Sequence, residues 1–151
     1  MQNDIQEEPP GRVSIILNPD ASGVARAEAV FETDAPSDEW NFSPDEGKLS
    51  VDVAEDSANI IIVATMAGSD AQRIEVSVQG DLLTIRGFRR SPLEEQHDTV
   101  HFFYQECFWG VFSRTIVLPT NVHSHRSHAQ YRNGILLVHI PKRHGDSRVP
   151  I

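Results

Sequence analysis

The chain has 151 residues, a formal net charge of −9 and a 39% hydrophobic share, room for one packed domain with flanking segments. No apolar run approaches the ~20 residues of a membrane-spanning helix, and the acidic balance lacks the clustered positive field that nucleic-acid binding needs. The single cysteine, Cys107, excludes an intrachain disulfide. With no basic and apolar leader after Met1-Gln2-Asn3-Asp4, a cytoplasmic protein is the expectation.

Charge divides the chain. Residues 1–48 hold eleven acids and three bases, a net of −8, and residues 49–151 hold eleven acids and ten bases, a net of −1. The first segment has too few apolar residues for its own core and reads as an arm, largely disordered or partly helical. Its apolar islands are Ile15-Ile16-Leu17, Val30-Phe31, Trp40 and Phe42. Val24, Ala27 and Phe31 fall at i, i+3 and i+7 behind Ser22, a possible cap, which predicts a short helix within Ala21–Phe31.

From Leu49 the pattern becomes that of strands. Leu49, Val51 and Val53 alternate with polar residues, and Glu55-Asp56-Ser57 turns the chain. Ile60–Met66 is apolar on both faces, as a central strand would be. Ile74, Val76 and Val78 alternate with polar partners, and Gly80-Asp81 joins them to Leu82–Arg86 as a hairpin. A polar excursion begins at Arg89, long enough to need a function or order of its own, and His101-Phe102-Phe103-Tyr104 is a candidate strand at its end. Val111–Leu118 follows and stops at Pro119.

The strongest local signal is Asn133-Gly134. Both residues tolerate the positive φ of a type I′ turn, so Ala129–Arg132 and Ile135–Ile140 form a hairpin ended by Pro141. Seven or eight short strands without a convincing helix predict an all-β, immunoglobulin-like antiparallel β-sandwich. It would span residues 49–143, with the arm before it and a short tail, 144–151, after it.

Chemistry-bearing motifs are few. Ser113 and Cys107 have no histidine and acid at motif spacing, and no phosphate-cradling glycine loop occurs. No catalytic residue or cofactor site is therefore expected. His123, His125 and His128 could ring a metal ion, yet the cluster contains neither cysteine nor carboxylate. Exposed histidines in a connection, able to change charge near pH ~6.5, are the plainer reading.

In this order the motifs resemble those of the small heat-shock proteins, built on the α-crystallin domain. Ala129, Asn133, Gly134, Ile135 and Leu136 fit the family's Ala-x-x-x-Asn-Gly-aliphatic-Leu signature. Gly110-Val111-Phe112-Ser113-Arg114 with Leu118-Pro119 is similar to its Gly-x-Phe-x-Arg strand. Ile74–Gly87 resembles its hairpin ending in Arg-Gly, and Val149-Pro150-Ile151 its C-terminal anchor. Met66-Ala67-Gly68 stands where the family often has Leu-Pro-Gly.

The resemblance implies an ATP-independent chaperone, not an enzyme, that holds partly unfolded proteins and assembles from dimers into oligomers. The arm islands Ile15, Ile16, Leu17, Phe31, Trp40 and Phe42 would meet clients. Val149, Pro150 and Ile151 would anchor in a neighbouring subunit's groove, walled by Ile74, Val76 and Val78 and by Ala129 and Tyr131. His101–Tyr104 would be a strand exchanged between two subunits, and Arg114 would pair with an acid near the dimer interface. Two other readings stay open: a co-chaperone or adaptor of the same sandwich type binding one folded partner, and a metal-binding protein using the histidine cluster.

Overall fold

The computed structural model describes residues 12–32, 46–96, 99–119 and 121–143. In chain order the strands are β1 (Arg12–Ile16), β2 (Asn18–Pro19), β3 (Ala25–Glu32), β4 (Gly47–Lys48), β5 (Val51–Glu55) and β6 (Asn59–Thr65). They continue with β7 (Glu75–Gln79), β8 (Leu82–Arg89), β9 (Gly110–Val117), β10 (His128–Arg132) and β11 (Ile135–Pro141). Among the described residues the helical elements are two short 3-10 turns, Ala71–Arg73 and Ser124–Arg126. No helix long and apolar enough to cross a membrane occurs among the described residues.

The strands form an antiparallel sandwich whose two layers are stitched along one side. The hydrogen-bonded order runs β4-β9-β8-β7-β1-β3-β10-β11-β6-β5, with β2 also on β3. Every pairing is antiparallel except the two-residue contact of β4 with β9. Strict alternation sets which face turns inward. On β6, Ile60, Ile62 and Ala64 are buried, on β8 Leu83 and Ile85, and on β11 Leu136, Val138 and Ile140. The core fills with these and with Met66, Val76, Val78 and Phe112.

The β10–β11 corner has the expected chemistry. Asn133 and Gly134 adopt φ of 52° and 77°, which matches the right-handed strand twist. Gly134 also lies against Ala67, where an added Cβ would come within 3.1 Å of the Ala67 Cα. Its carbonyl accepts the Met66 amide at 2.7 Å. The substitution Gly134→Ala is therefore expected to destabilise the domain by about 1–3 kcal/mol through positive-φ strain and crowding. Urea titration checks this, and an unchanged midpoint would refute it.

One segment departs from its predicted structure. Residues 25–32 form β3, not part of a helix. Apolar spacing at i, i+3 and i+7 was matched by a competing alternation: Ala25 is buried and Ala27 half-buried, between the exposed Arg26 and Glu28. Alanine favours helices intrinsically, but pairing on both flanks overrides that weak preference. Ser22 accordingly sits in a hairpin turn instead of a helix cap. There Asp20 accepts the backbone N–H of Ser22 at 2.8 Å and of Val24 at 3.2 Å, together with the Ser22 hydroxyl. Gly23, at φ 78°, closes the turn.

These bonds, the Ser22 hydroxyl foremost, hold the Asp20 carboxyl below its ordinary 3.8. Asp56, accepting the amides of Ala58 and Asn59 between β5 and β6, is lowered in the same way. A depressed carboxyl pKa stabilises the fold above the unfolded value, and the contribution is lost as pH falls through the folded value. Both turns are thus expected to loosen below about pH 4. Amide exchange around residues 20–24 and 56–59, corrected for intrinsic rate, reads this; protection that stays constant into acid would count against it.

Candidate functional site

Two places in the fold combine apolar surface with strand edges. The first is the seam between β7 and β10. The residues expected to wall a groove lie here and are all buried: Ile74 just before β7, Val76 and Val78 on it, and Ala129 and Tyr131 on β10. The groove is not empty. β1 pairs with β7, placing Ile15 opposite Val76, Ser14 opposite Ser77 and Val13 opposite Val78. β3 pairs with β10, placing Ala27 opposite Ala129 and Ala25 opposite Tyr131.

β1 and β3 also pair with each other, so the arm enters the sandwich as a hairpin and covers both edges. Val13, Ile15 and Leu17 are 2%, 1% and 1% exposed. Each such burial contributes ~1.5–3 kcal/mol of transfer free energy. Ile15 and Leu17, expected to meet clients, are core residues of their own chain in this conformation. Ile16 and Phe31 lie on β1 and β3, opposite Glu75 and Val13 respectively. Trp40, Phe42 and the anchor residues Val149, Pro150 and Ile151 lie outside the described residues.

Tyr131 ties this seam to the turn after β6. Its hydroxyl donates toward the carbonyls of Met66 at 2.9 Å and Ser69 at 3.3 Å, and burial raises its pKa above the ordinary value. Gly68 takes positive φ in the same turn. The Met66-Ala67-Gly68 turn, without a proline, is thus held from the side by a tyrosine.

The second place is the connection from β8 to β9. His101–Tyr104 forms no strand within the single chain, which corrects that expectation; an isolated strand has no ladder to satisfy its backbone. The segment is exposed: Phe102 is 51%, Phe103 96% and Tyr104 87% accessible, with Val100 and Phe108 also partly open. Phe108 is seated at its other side, since a Cβ on Gly47 would fall 2.5 Å from the Phe108 ring. The opposite end of the strand order, β5, pairs among the described residues only with β6. It offers a free ladder edge and an exposed Val53.

Arg114 lies on β9, where its Nη1 donates to the carbonyl of Leu49 at 3.4 Å. Glu46, which bonds the neighbouring strand position, receives Arg86 at 2.9 Å and the Ser113 hydroxyl at 2.7 Å. Among the described residues of the single chain, the contact made by Arg114 is thus with a backbone oxygen. Glu46 was missed because it precedes the sandwich in sequence; β4 brings it across β9.

The histidine cluster is split by the fold. His123 and His125 meet edge to face at 5.6 Å, but His128 stacks on His139 across β10–β11, 4.8 Å apart and nearly parallel. The partner could have been read from hairpin register, since the Asn133-Gly134 turn sets His128 opposite His139. No three histidine, cysteine or acidic side chains come together as a metal site among the described residues.

The comparisons with known proteins agree with this architecture. Residues 52–150 match the model of the Hsp20/alpha crystallin family. The chain belongs to that family. It is 29% identical over 92 residues to small heat shock protein C2 of Rickettsia felis, covering 61% of this chain and 58% of that protein. The chain spans a little over half the length of the curated relatives it matches. Among solved structures, hspA from Xanthomonas axonopodis is 32% identical with a TM-score of 0.57, over 65% of this chain and 96% of that one. Heat shock protein 16.0 from Schizosaccharomyces pombe is 25% identical with a TM-score of 0.59, over 76% and 81%. Within the Hsp20 frame, β1 to β4 are contributed by residues before the matched segment.

Proposed function

We propose that this Hsp20-family chain is an ATP-independent holdase of the cytoplasm. It binds partly unfolded proteins, prevents their aggregation, and assembles from dimers into larger homo-oligomers. The observation that carries this is the exposed Phe102-Phe103-Tyr104 segment on a sandwich with an open edge at β5. Exposed apolar segments and unpaired edges are hazards for a monomer; they are working parts for a protein that pairs with itself and captures sticky chains.

In this reading the segment crosses to a partner subunit and adds a strand to its β5, the strand-addition mode of recognition. Val149 and Ile151, two residues apart, point the same way in an extended chain and anchor dimers to one another. Pro150 stiffens them and lowers the ordering cost. No nucleic-acid partner and no catalytic step form part of this reading.

A second reading, an adaptor that works as a monomer or dimer on one folded partner, gains from the arm covering the β7–β10 seam. Light scattering of a heat-aggregating client decides between them. The expected result is full suppression at stoichiometric amounts by a species larger than a dimer. Absence of suppression would defeat the holdase reading, and a stable monomer at micromolar concentration would favour the adaptor.

A further inference from the structure

The excursion that carries Phe102–Tyr104 rejoins the sandwich through Phe108-Trp109-Gly110. Residues 101–107 are exposed throughout, whereas Phe108 is 40% accessible and Trp109 is half-buried. Each of these two rings lies against a glycine. A Cβ on Gly47 would fall 2.5, 2.6 and 2.9 Å from three atoms of the Phe108 ring. One on Gly68 would come within 3.9 Å of the Trp109 ring. Gly47 does not take positive φ, so its backbone suits other residues. What excludes a side chain at position 47 is the Phe108 ring.

Gly47 is itself fixed from both sides. β4 lies parallel to β9, with Gly47 beside Phe112 and Lys48 beside Ser113. Before the glycine, the Glu46 side chain is 8% exposed and bonds Arg86 and the Ser113 hydroxyl. After it, the Leu49 amide donates to the Ser113 carbonyl at 3.1 Å, and the Leu49 carbonyl accepts Arg114. Charge-assisted bonds shielded from water hold better than exposed pairs. The face of Gly47 that meets Phe108 is therefore held in place on β9.

We propose that residues 46–49 are a clasp, and that Gly47 and Phe108 are positioning residues for pairing between two copies of the chain. The seated ring fixes the root of the excursion, and with it the direction in which Phe102–Tyr104 leaves the domain. This rests on the dimer reading given above. It adds that the segment is aimed by residues preceding 52–150, the part matched to the family. Three residues, Gln105-Glu106-Cys107, separate the seated ring from Tyr104. An unseated root would extend that slack, and each further residue ordered at pairing weakens the dimer roughly tenfold. A fixed root spares that cost, as preorganisation does for any ligand.

The test is a double-mutant cycle on the full-length chain. Gly47→Val puts a β-branched side chain where the ring sits, and Phe108→Ala removes the ring. Sedimentation over a dilution series gives the concentration at which single chains appear, and calorimetry gives the melting temperature. Each single substitution is expected to raise that concentration at least ~tenfold while the sandwich melts close to where it did. The double variant is expected to be no weaker than either single one, because the same seat is lost in all three.

Effects that multiply in the double variant would overturn the proposal, as would an unaltered dimer in Gly47→Val. Should Gly47→Val not fold, Gly47→Ala takes its place in the cycle, since its methyl still meets the ring. If the parent chain stays single at micromolar concentration, the dimer reading fails, and the clasp is judged by amide exchange. Faster exchange over residues 108–112 in Gly47→Val then supports the seat, and unchanged exchange overturns it.

Discussion

Replacing Phe102, Phe103 and Tyr104 together by serine is expected to reduce the protein to single chains in solution while the sandwich melts where it did before. Phe103 and Tyr104 touch little of their own domain and Phe102 is about half covered, so removing them costs the monomer little. Buried across a dimer, they would contribute roughly 1.5–3 kcal/mol each. Losing even about 4 kcal/mol weakens a dimer ~1,000-fold. Sedimentation at micromolar concentration reads the outcome. A persisting dimer would place the interface elsewhere, and a lowered melting temperature would show that the segment packs on its own chain.

The second large effect is expected from Phe112→Ala. Phe112 is 2% exposed and faces Gly87 across the β8–β9 ladder. The absence of a side chain at Gly87 is what admits the ring: a Cβ there would sit 2.6 Å from the ring and 2.7 Å from the Met66 methyl. The Arg89 guanidinium lies 4.5 Å from the ring centroid. Truncation opens a cavity between layers that the strand ladders hold apart, so collapse is limited. A loss of about 3–5 kcal/mol follows, a fall in melting temperature on the order of 10–20 °C for a domain this size. Calorimetry measures it; a loss under about 1 kcal/mol would mean that the layers close on the gap.

Much of this was legible in the sequence because alternation and turn chemistry are local. Ile74-Val76-Val78, the Gly80-Asp81 turn and the Asn133-Gly134 corner each declare their geometry within a few residues. The arm was harder. Its strands bury residues only because β7 and β10 arrive from far along the chain, and Ala25-Arg26-Ala27 carries both helical propensity and strand alternation. Glu46 was hidden for the same reason, since its partners Arg86 and Ser113 are remote in sequence. The His101–Tyr104 segment was legible as an apolar run at the end of a polar excursion. The strand expected there does not form in the single chain, because a ladder needs a second strand that this chain does not supply to it.

The order of the ladder has a consequence for how the protein is made. The arm hairpin is synthesised before the rest of the sandwich and has nothing to pair with until the strands that flank it exist. Ile15 waits for Val76, and Ala25 waits for Tyr131, close to the end of the domain. Contacts of such long sequence separation form late. During translation Val13, Ile15 and Leu17 are therefore an exposed greasy stretch on every nascent copy. For most of its own synthesis the chain is thus an unfinished one, of the kind that the proposed holdase would shelter.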